Sequence, residues 1–141
     1  MTVRFKHLIH ARLGLALGLG LLAGPALAHH SFAMFDTKTK LSMSGTVKEL
    51  EWTNPHITIW VYNDAKPGET PELWNFETSS PGILTRDGWT KRSLQPGDKV
   101  QIDYNPSRDG GHSGELAKVT LTATGKVLTV EVVGGTRPAT N

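Results

Sequence analysis

From Ile57 to Tyr62 the chain alternates without a break: Ile57, Ile59 and Val61 against Thr58, Trp60 and Tyr62. Side chains of a strand point to opposite faces with a period of two, so this is a half-buried strand whose outer face is aromatic rather than charged. The same period marks its neighbours. Leu73 to Thr78 reads as a strand, as do Val100, Ile102 and Tyr104 set against Gln101, Asp103 and Asn105. Ala117, Val119 and Leu121 mark another, and Val127 to Val133 a last one. Ahead of Ile57, the residues Met43, Gly45 and Val47 fall on one parity, and Leu50 and Trp52 on the other. A parity switch inside one strand predicts a β-bulge, with Gly45 easing the bend. Only one helix fits. Ser80-Pro81 is a capping hydroxyl followed by proline at the first helical position, and Gly88 can stop the helix in a left-handed cap about two turns later.

Three strands, a short helix between strands 3 and 4, and two more strands predict a mostly β fold. The order matches a small five-stranded Greek-key barrel of the OB type with an extra C-terminal strand. A plain antiparallel sandwich is the alternative. Thr53-Asn54-Pro55, Asn63 to Pro71, Leu94 to Asp98, Asn105 to Gly114 and Thr124 to Lys126 carry the turn and loop chemistry. Gly88-Trp89 reads as a packing anchor.

The first 28 residues do not read as part of that fold. Arg4, Lys6 and Arg12 form a basic start, Leu13 to Ala28 is uncharged, and Ala26-Leu27-Ala28 is a cleavage signature. These are the parts of a secretory signal peptide. The uncharged run of 16 residues is shorter than the roughly 20 that a spanning helix needs, so no stable membrane anchor is expected after processing. There is no twin-arginine pair, which points to the general secretory route and a periplasmic location. The expected organisation is a cleaved signal at 1–28, a His-containing segment at 29–40, a barrel at 41–133 and a flexible tail at 134–141. Cleavage removes three basic and no acidic residues, leaving 12 basic against 13 acidic and a formal charge of −1 in place of +2. The mature chain therefore lacks the basic face that a nucleic-acid partner needs, and Lys91-Arg92 reads as a solvated loop.

The absence of cysteine excludes disulfides, thiolate zinc sites, a cysteine nucleophile and blue copper. There is no GxSxG, HExxH, P-loop or dinucleotide fingerprint, and Asp98 and Asp103 read as solvated carboxylates, so no catalytic residues are assigned. Histidine carries what chemistry there is. After cleavage the chain begins His29-His30-Ser31. A first-position histidine offers its α-amine and its own imidazole to one metal ion, and the amine's ordinary pKa of about 7.7–8.0 leaves it available near neutral pH. Amine and imidazole nitrogens in a tetragonal arrangement suit Cu(II). His30, His56 and His112 are candidates for a third nitrogen, and Met34 offers a soft ligand for Cu(I). Cleavage one residue earlier would put His30 third, which also chelates copper through the amine, two amides and the ring.

In Trp52-Thr53-Asn54-Pro55-His56 the proline fixes a corner and restricts Asn54 to extended geometry, so His56 opens the next strand from a rigid support. A ring placed rigidly can ligate a metal or can bond a backbone carbonyl at the barrel end; both readings fit. His112, in Asp109-Gly110-Gly111-His112-Ser113, reads as a solvated loop residue. Phe32, Met34 and Phe35 can dock the N-terminal segment on the barrel.

Taken together, His29-His30-Ser31-Phe32-Ala33-Met34-Phe35-Asp36, Gly45-Thr46-Val47, Glu51-Trp52-Thr53-Asn54-Pro55-His56, Gly88-Trp89-Thr90 and Pro96-Gly97-Asp98 resemble a family of small exported bacterial proteins catalogued as domain of unknown function 6152. The resemblance implies export and a compact β-barrel-like domain, supplies no activity, and groups His29, His30 and His56 in one constellation. The leading expectation is a periplasmic, non-enzymatic metal-binding barrel, with copper held by the amine and ring of His29 and by His30 or His56 as the further imidazole, and with Trp52 and Asn54 fixing the ring of His56. The alternative is a metal-free module that binds a protein or carbohydrate partner on Trp60, Tyr62 and Trp74. A histidine-brace copper oxygenase stands third.

Overall fold

The computed structural model describes residues 32–130. Six strands follow one another: β1 (Leu41–Glu51), β2 (Thr58–Asn63), β3 (Leu73–Glu77), β4 (Lys99–Pro106), β5 (Ser113–Leu121) and β6 (Val127–Thr129). One helix, α1 (Pro81–Arg86), stands between β3 and β4, and a 3-10 turn (Phe32–Met34) precedes β1. β1 pairs with both β2 and β4, β2 with β3, and β4 with β5. β3 then pairs with β5 in parallel, through Asn75↔Ser113, Phe76↔Gly114 and Glu77↔Glu115. The ring β1-β2-β3-β5-β4 is thereby closed, which is the five-stranded Greek-key barrel of the OB type and excludes the sandwich. β6 is the extra strand, added to β5 over Lys118–Thr120.

The bulge lies between Val47 and Glu49. Gly45 is needed for a different reason than the bend. A Cβ there would stand 2.6 Å from a Val61 methyl and closer still to the Tyr62 carbonyl oxygen. That oxygen belongs to the β1–β2 pairing, so it cannot retreat cheaply. Gly45→Ala is expected to cost about 1–3 kcal/mol, the usual range for overpacking. Chemical denaturation measures it, and an unchanged midpoint would refute the close-packing account.

Inward positions of all five barrel strands supply one core: Val47, Ile59, Val61, Phe76, Val100, Ile102, Leu116 and Val119, joined by Leu84, Trp89 and Leu94. Leu50 and Trp52, beyond the bulge, pack against it half-buried. The helix starts as expected in place but not in chemistry. Ser80 occupies the capping position, yet its hydroxyl makes no cap hydrogen bond; its carbonyl accepts from the Ile83 and Leu84 amides instead. The helix ends at Gly88 with φ +86°. Gly88 N–H donates to the Thr85 carbonyl and Trp89 N–H to the Leu84 carbonyl, the paired bonds of a Schellman cap. The cap turns Trp89 into the core, where its Nε1 donates to the Thr129 carbonyl at 2.9 Å.

Two boundaries differ from expectation. β4 runs to Pro106 and β5 starts at Ser113, so the loop is 107–112 rather than Asn105 to Gly114. The parallel pairing with β3 extends β5 at this point, and that pairing is non-local. The Asp109 carboxylate orders what loop remains, accepting from the Ser107 hydroxyl at 2.7 Å and the Gly111 amide at 2.8 Å. At the other end β6 covers three residues, Val127–Thr129, with the Val130 amide still donating to the Ala117 carbonyl. The expected signal segment, His29, His30, the rest of the last strand and the tail lie outside the described residues.

Candidate metal centre

The N-terminal segment is strapped to the end of β4. Phe35 bridges Ser107, and the Asp36 amide donates to the Pro106 carbonyl at 2.8 Å. The Arg108 amide donates to the Met34 carbonyl, and its guanidinium Nε lies 3.1 Å from the carbonyls of both Ala33 and Phe35. Phe35 is buried, apart from the main core cluster, while Met34 is 52% exposed. The docking expected of this segment is therefore carried by Phe35 and by Arg108. Asp36 closes a turn by accepting from the Thr39 hydroxyl.

His56 follows a cis Asn54-Pro55 bond. The next residue is clamped on both sides: the Ile57 amide donates to the Ser79 carbonyl, and the Thr78 amide to the Ile57 carbonyl. With the Ile57 side chain fully buried, the backbone just after His56 is fixed against the end of β3. The ring stands half-buried with Nδ1 3.6 Å from Glu77 Oε2. Trp52 packs against the core and Asn54 is exposed; the carboxylate facing the ring is Glu77, which the sequence did not single out.

Glu77 alternates with inward-facing Phe76, so it points outward, beside Thr58 on β2 and Glu115 on β5. Glu115 is only 2% exposed and accepts from Asn105 Nδ2 at 2.9 Å. Asn105 is itself buried, and its Oδ1 has no hydrogen-bond partner. The outer face of the β3–β5 seam is thus rich in acceptors next to His56.

His112 is elsewhere engaged. Its Nε2 lies 3.4 Å from Glu72 Oε2, and its ring stacks on Trp74 with centroids 4.7 Å apart. It is an exposed side chain, as expected, but one pinned by these two contacts, and the Asn75 amide donates to its carbonyl. His56 and His112 face different carboxylates. Among the described residues no three histidine or carboxylate side chains stand close enough to hold a metal ion.

The expected aromatic platform is corrected by register. Trp60 and Tyr62 share the outer face of β2, but Trp74 pairs with inward-facing Val61. Its ring packs on Phe76 and Tyr104. Trp60 is engaged on its own face, donating from Nε1 to Glu51 with the Lys48 ammonium 5.9 Å from the ring centre. The three rings do not form one surface.

Charge elsewhere supports the fold. Lys118 and the Ser42 hydroxyl both bond the Asp103 carboxylate and hold its pKa below the ordinary value. Hydrogen bonds from Thr39 and Lys38 do the same for Asp36, and those from Gly111 and Ser107 for Asp109. Burial pushes the Tyr104 hydroxyl up. A carboxylate with a depressed folded pKa stabilises the fold above its unfolded value of about 3.9, and that contribution disappears as pH falls through the lower folded value. The urea midpoint is expected to drop as pH falls below about 4, with a shallower drop in Asp103→Asn. Equal slopes in both proteins would refute the role of Asp103.

Similarity to known proteins adds no activity to this picture. No curated protein matches the chain. Among solved structures, a mitochondrial single-stranded DNA binding protein from S. cerevisiae is similar at 11% identity, with a TM-score of 0.45, over 66% of this chain and 97% of that one; the barrel assignment here rests on the strand pairings themselves. A family match spans residues 18–117, from the expected signal segment through the bulged strand, the Pro55-His56 corner, the helix cap and most of β5. The chain belongs to that family, described as a family of unknown function (DUF6152).

Proposed function

We propose that this protein is exported to the periplasm by the general secretory route, is cleaved after Ala28, and binds one copper ion without catalysing a reaction. His29 supplies its α-amine and ring, and His56 supplies a further imidazole, with His30 adjacent to both donors of the terminus. Handling or delivery of copper to a periplasmic protein partner is the role that fits. The observation that carries the reading is the fixed placement of His56 on a corner clamped by both backbone groups of Ile57. A ligand held in place before the metal arrives loses less freedom on binding.

The strap supports the reading by reach. Phe35, Ser107, Gly114 and Phe76 stand on four neighbouring chain segments, and strands lie about 4.8 Å apart, so the strap runs on the order of 14 Å from β3. His29 is six residues ahead of Phe35, a span of about 20 Å at full extension. Chain length alone therefore allows the proposed site. Titration of the purified mature protein with Cu(II) tests the proposal. Binding near one copper per chain is expected, with a large loss of affinity in His29→Ala, His56→Ala; equal affinity in that double variant would reject the site.

A further inference from the structure

We infer that the outer face of β1, β2 and β3 is a docking surface for an extended peptide segment of a partner protein, which seats an arginine on Trp60 beside Glu49 and Glu51. The inference is independent of the copper reading. Trp60 and Tyr62 alternate with buried Val61, so both rings stand on the outer face, about 7 Å apart along the strand. Glu49 on β1 and Asn75 on β3 flank Trp60, and Thr46 and Leu73 flank Tyr62. Glu51 lies on the same face, opposite Thr58. Among the described residues the strap is bonded to β4 and α1 turns Leu84 into the core, while Tyr62 is left 39% exposed.

The chemistry of the occupant follows from what already stands there. The bulge between Val47 and Glu49 inserts Lys48, whose ammonium lies 5.9 Å from the Trp60 ring centre. A cation within about 6 Å of an indole face is attracted by the ring's quadrupole. The ring thus already holds a cation, supplied by its own chain. Glu51 accepts from the Trp60 Nε1, which steadies the ring. Glu49 is exposed, and its carboxylate has no ion pair among the described residues. Arginine can use both features at once: its guanidinium plane stacks on the indole, and its fork of donors matches a carboxylate. Alternate side chains of an extended peptide have the same spacing as Trp60 and Tyr62. An arginine on Trp60 therefore places the side chain two positions along over Tyr62 and Leu73, where an aliphatic residue fits. Nucleic acid is disfavoured, because its phosphates would face Glu49 and Glu51.

The test titrates the purified protein with a short Gly-Ser peptide that carries Arg-Ser-Leu, followed by calorimetry and by amide shifts. Saturable binding is expected, with the shifts centred on Thr46, Glu49, Trp60 and Tyr62. Trp60→Ala is expected to weaken binding about 10-fold, as loss of a central aromatic contact does. Glu49→Gln, an exposed substitution that leaves the fold in place, is expected to weaken it about 2–5-fold, the range for an exposed ion pair. Lys48→Ala should instead tighten binding about 2–5-fold, because it removes the cation that competes for the ring. Lys126→Ala makes the same charge change in the β5–β6 turn and is expected to leave the affinity unchanged.

Wild-type binding in both Trp60→Ala and Glu49→Gln overturns the surface. An equal gain in Lys48→Ala and Lys126→Ala overturns it too, since attraction to diffuse charge would then account for the binding. Equal affinity for a peptide with serine in place of the arginine overturns the choice of arginine. Binding of cellohexaose at Trp60 with none of the peptide overturns the peptide occupant in favour of a glycan.

Discussion

Replacing Trp89 with alanine is expected to lower the unfolding free energy by about 3–5 kcal/mol, the range for deleting a buried large aromatic. Domains of this size are held by roughly 5–15 kcal/mol in total, so much of the barrel's stability is at stake. Trp89 is 1% exposed and belongs to the core cluster. It arrives there because Gly88 adopts φ +86° and closes the helix with a Schellman cap. Its Nε1 bond to the Thr129 carbonyl also ties the core to β6, a strand of three residues with one neighbour among the described residues. Trp89→Phe separates the two contributions. It keeps most of the apolar contact and removes the hydrogen bond, leaving the Thr129 carbonyl to seek water, at about 1–3 kcal/mol. Urea denaturation of both variants measures the difference. A loss below about 1 kcal/mol for Trp89→Ala would mean that the site relaxes around the cavity and that Trp89 does not anchor the helix cap.

The second large effect concerns copper. His56→Ala in the mature protein is expected to weaken Cu(II) binding about 100-fold, equivalent to about 2.8 kcal/mol. The change should leave the fold in place, because His56 is half-buried and the clamps on the neighbouring Ile57 are backbone bonds. His29→Ala keeps the α-amine but removes the ring that closes the chelate, and a similar loss is expected. Adding one residue ahead of His29 is the sharper change. It retains every imidazole and moves only the amine, so the proposed geometry cannot form. Copper then binds instead through the amine, two backbone amides and the His30 ring, with a different spectrum. Calorimetric titration gives the affinities, and indistinguishable values for wild type and His56→Ala would remove His56 from the site.

Much of this architecture can be read from period alone. Ile57, Ile59 and Val61 are all buried, and the parity switch between Val47 and Leu50 marks the bulge where the register shifts. Pro81 and Gly88 delimit the helix because proline's fixed φ suits the first helical turn and glycine accepts the left-handed cap at φ +86°. Closure of the barrel is different. The parallel pairing of β3 with β5 joins residues 38 apart in sequence at Asn75 and Ser113, and no local pattern encodes a partner that distant. The loop boundary at 105–114 moved for the same reason. Trp74 was legible and misleading at once: it shares parity with Phe76 and so points inward, although its chemistry groups it with Trp60 and Tyr62. Glu77 is a third kind of case. Its outward position follows from the alternation of β3, but its meeting with His56 depends on the Asn54-Pro55 corner and on the Ile57–Ser79 clamp. Those are contacts between segments, not properties of either segment. Asp109 likewise gains its meaning only when the loop is folded, because its carboxylate then accepts from the Ser107 hydroxyl and the Gly111 amide.

The central claim is that the processed terminus and His56 share one copper ion. Paramagnetic resonance of the mature protein loaded with one equivalent of Cu(II), compared with His56→Ala, tests it most directly. The account predicts a tetragonal copper spectrum whose nitrogen hyperfine pattern loses one nitrogen when His56 is removed. Superimposable spectra from the two proteins would contradict it.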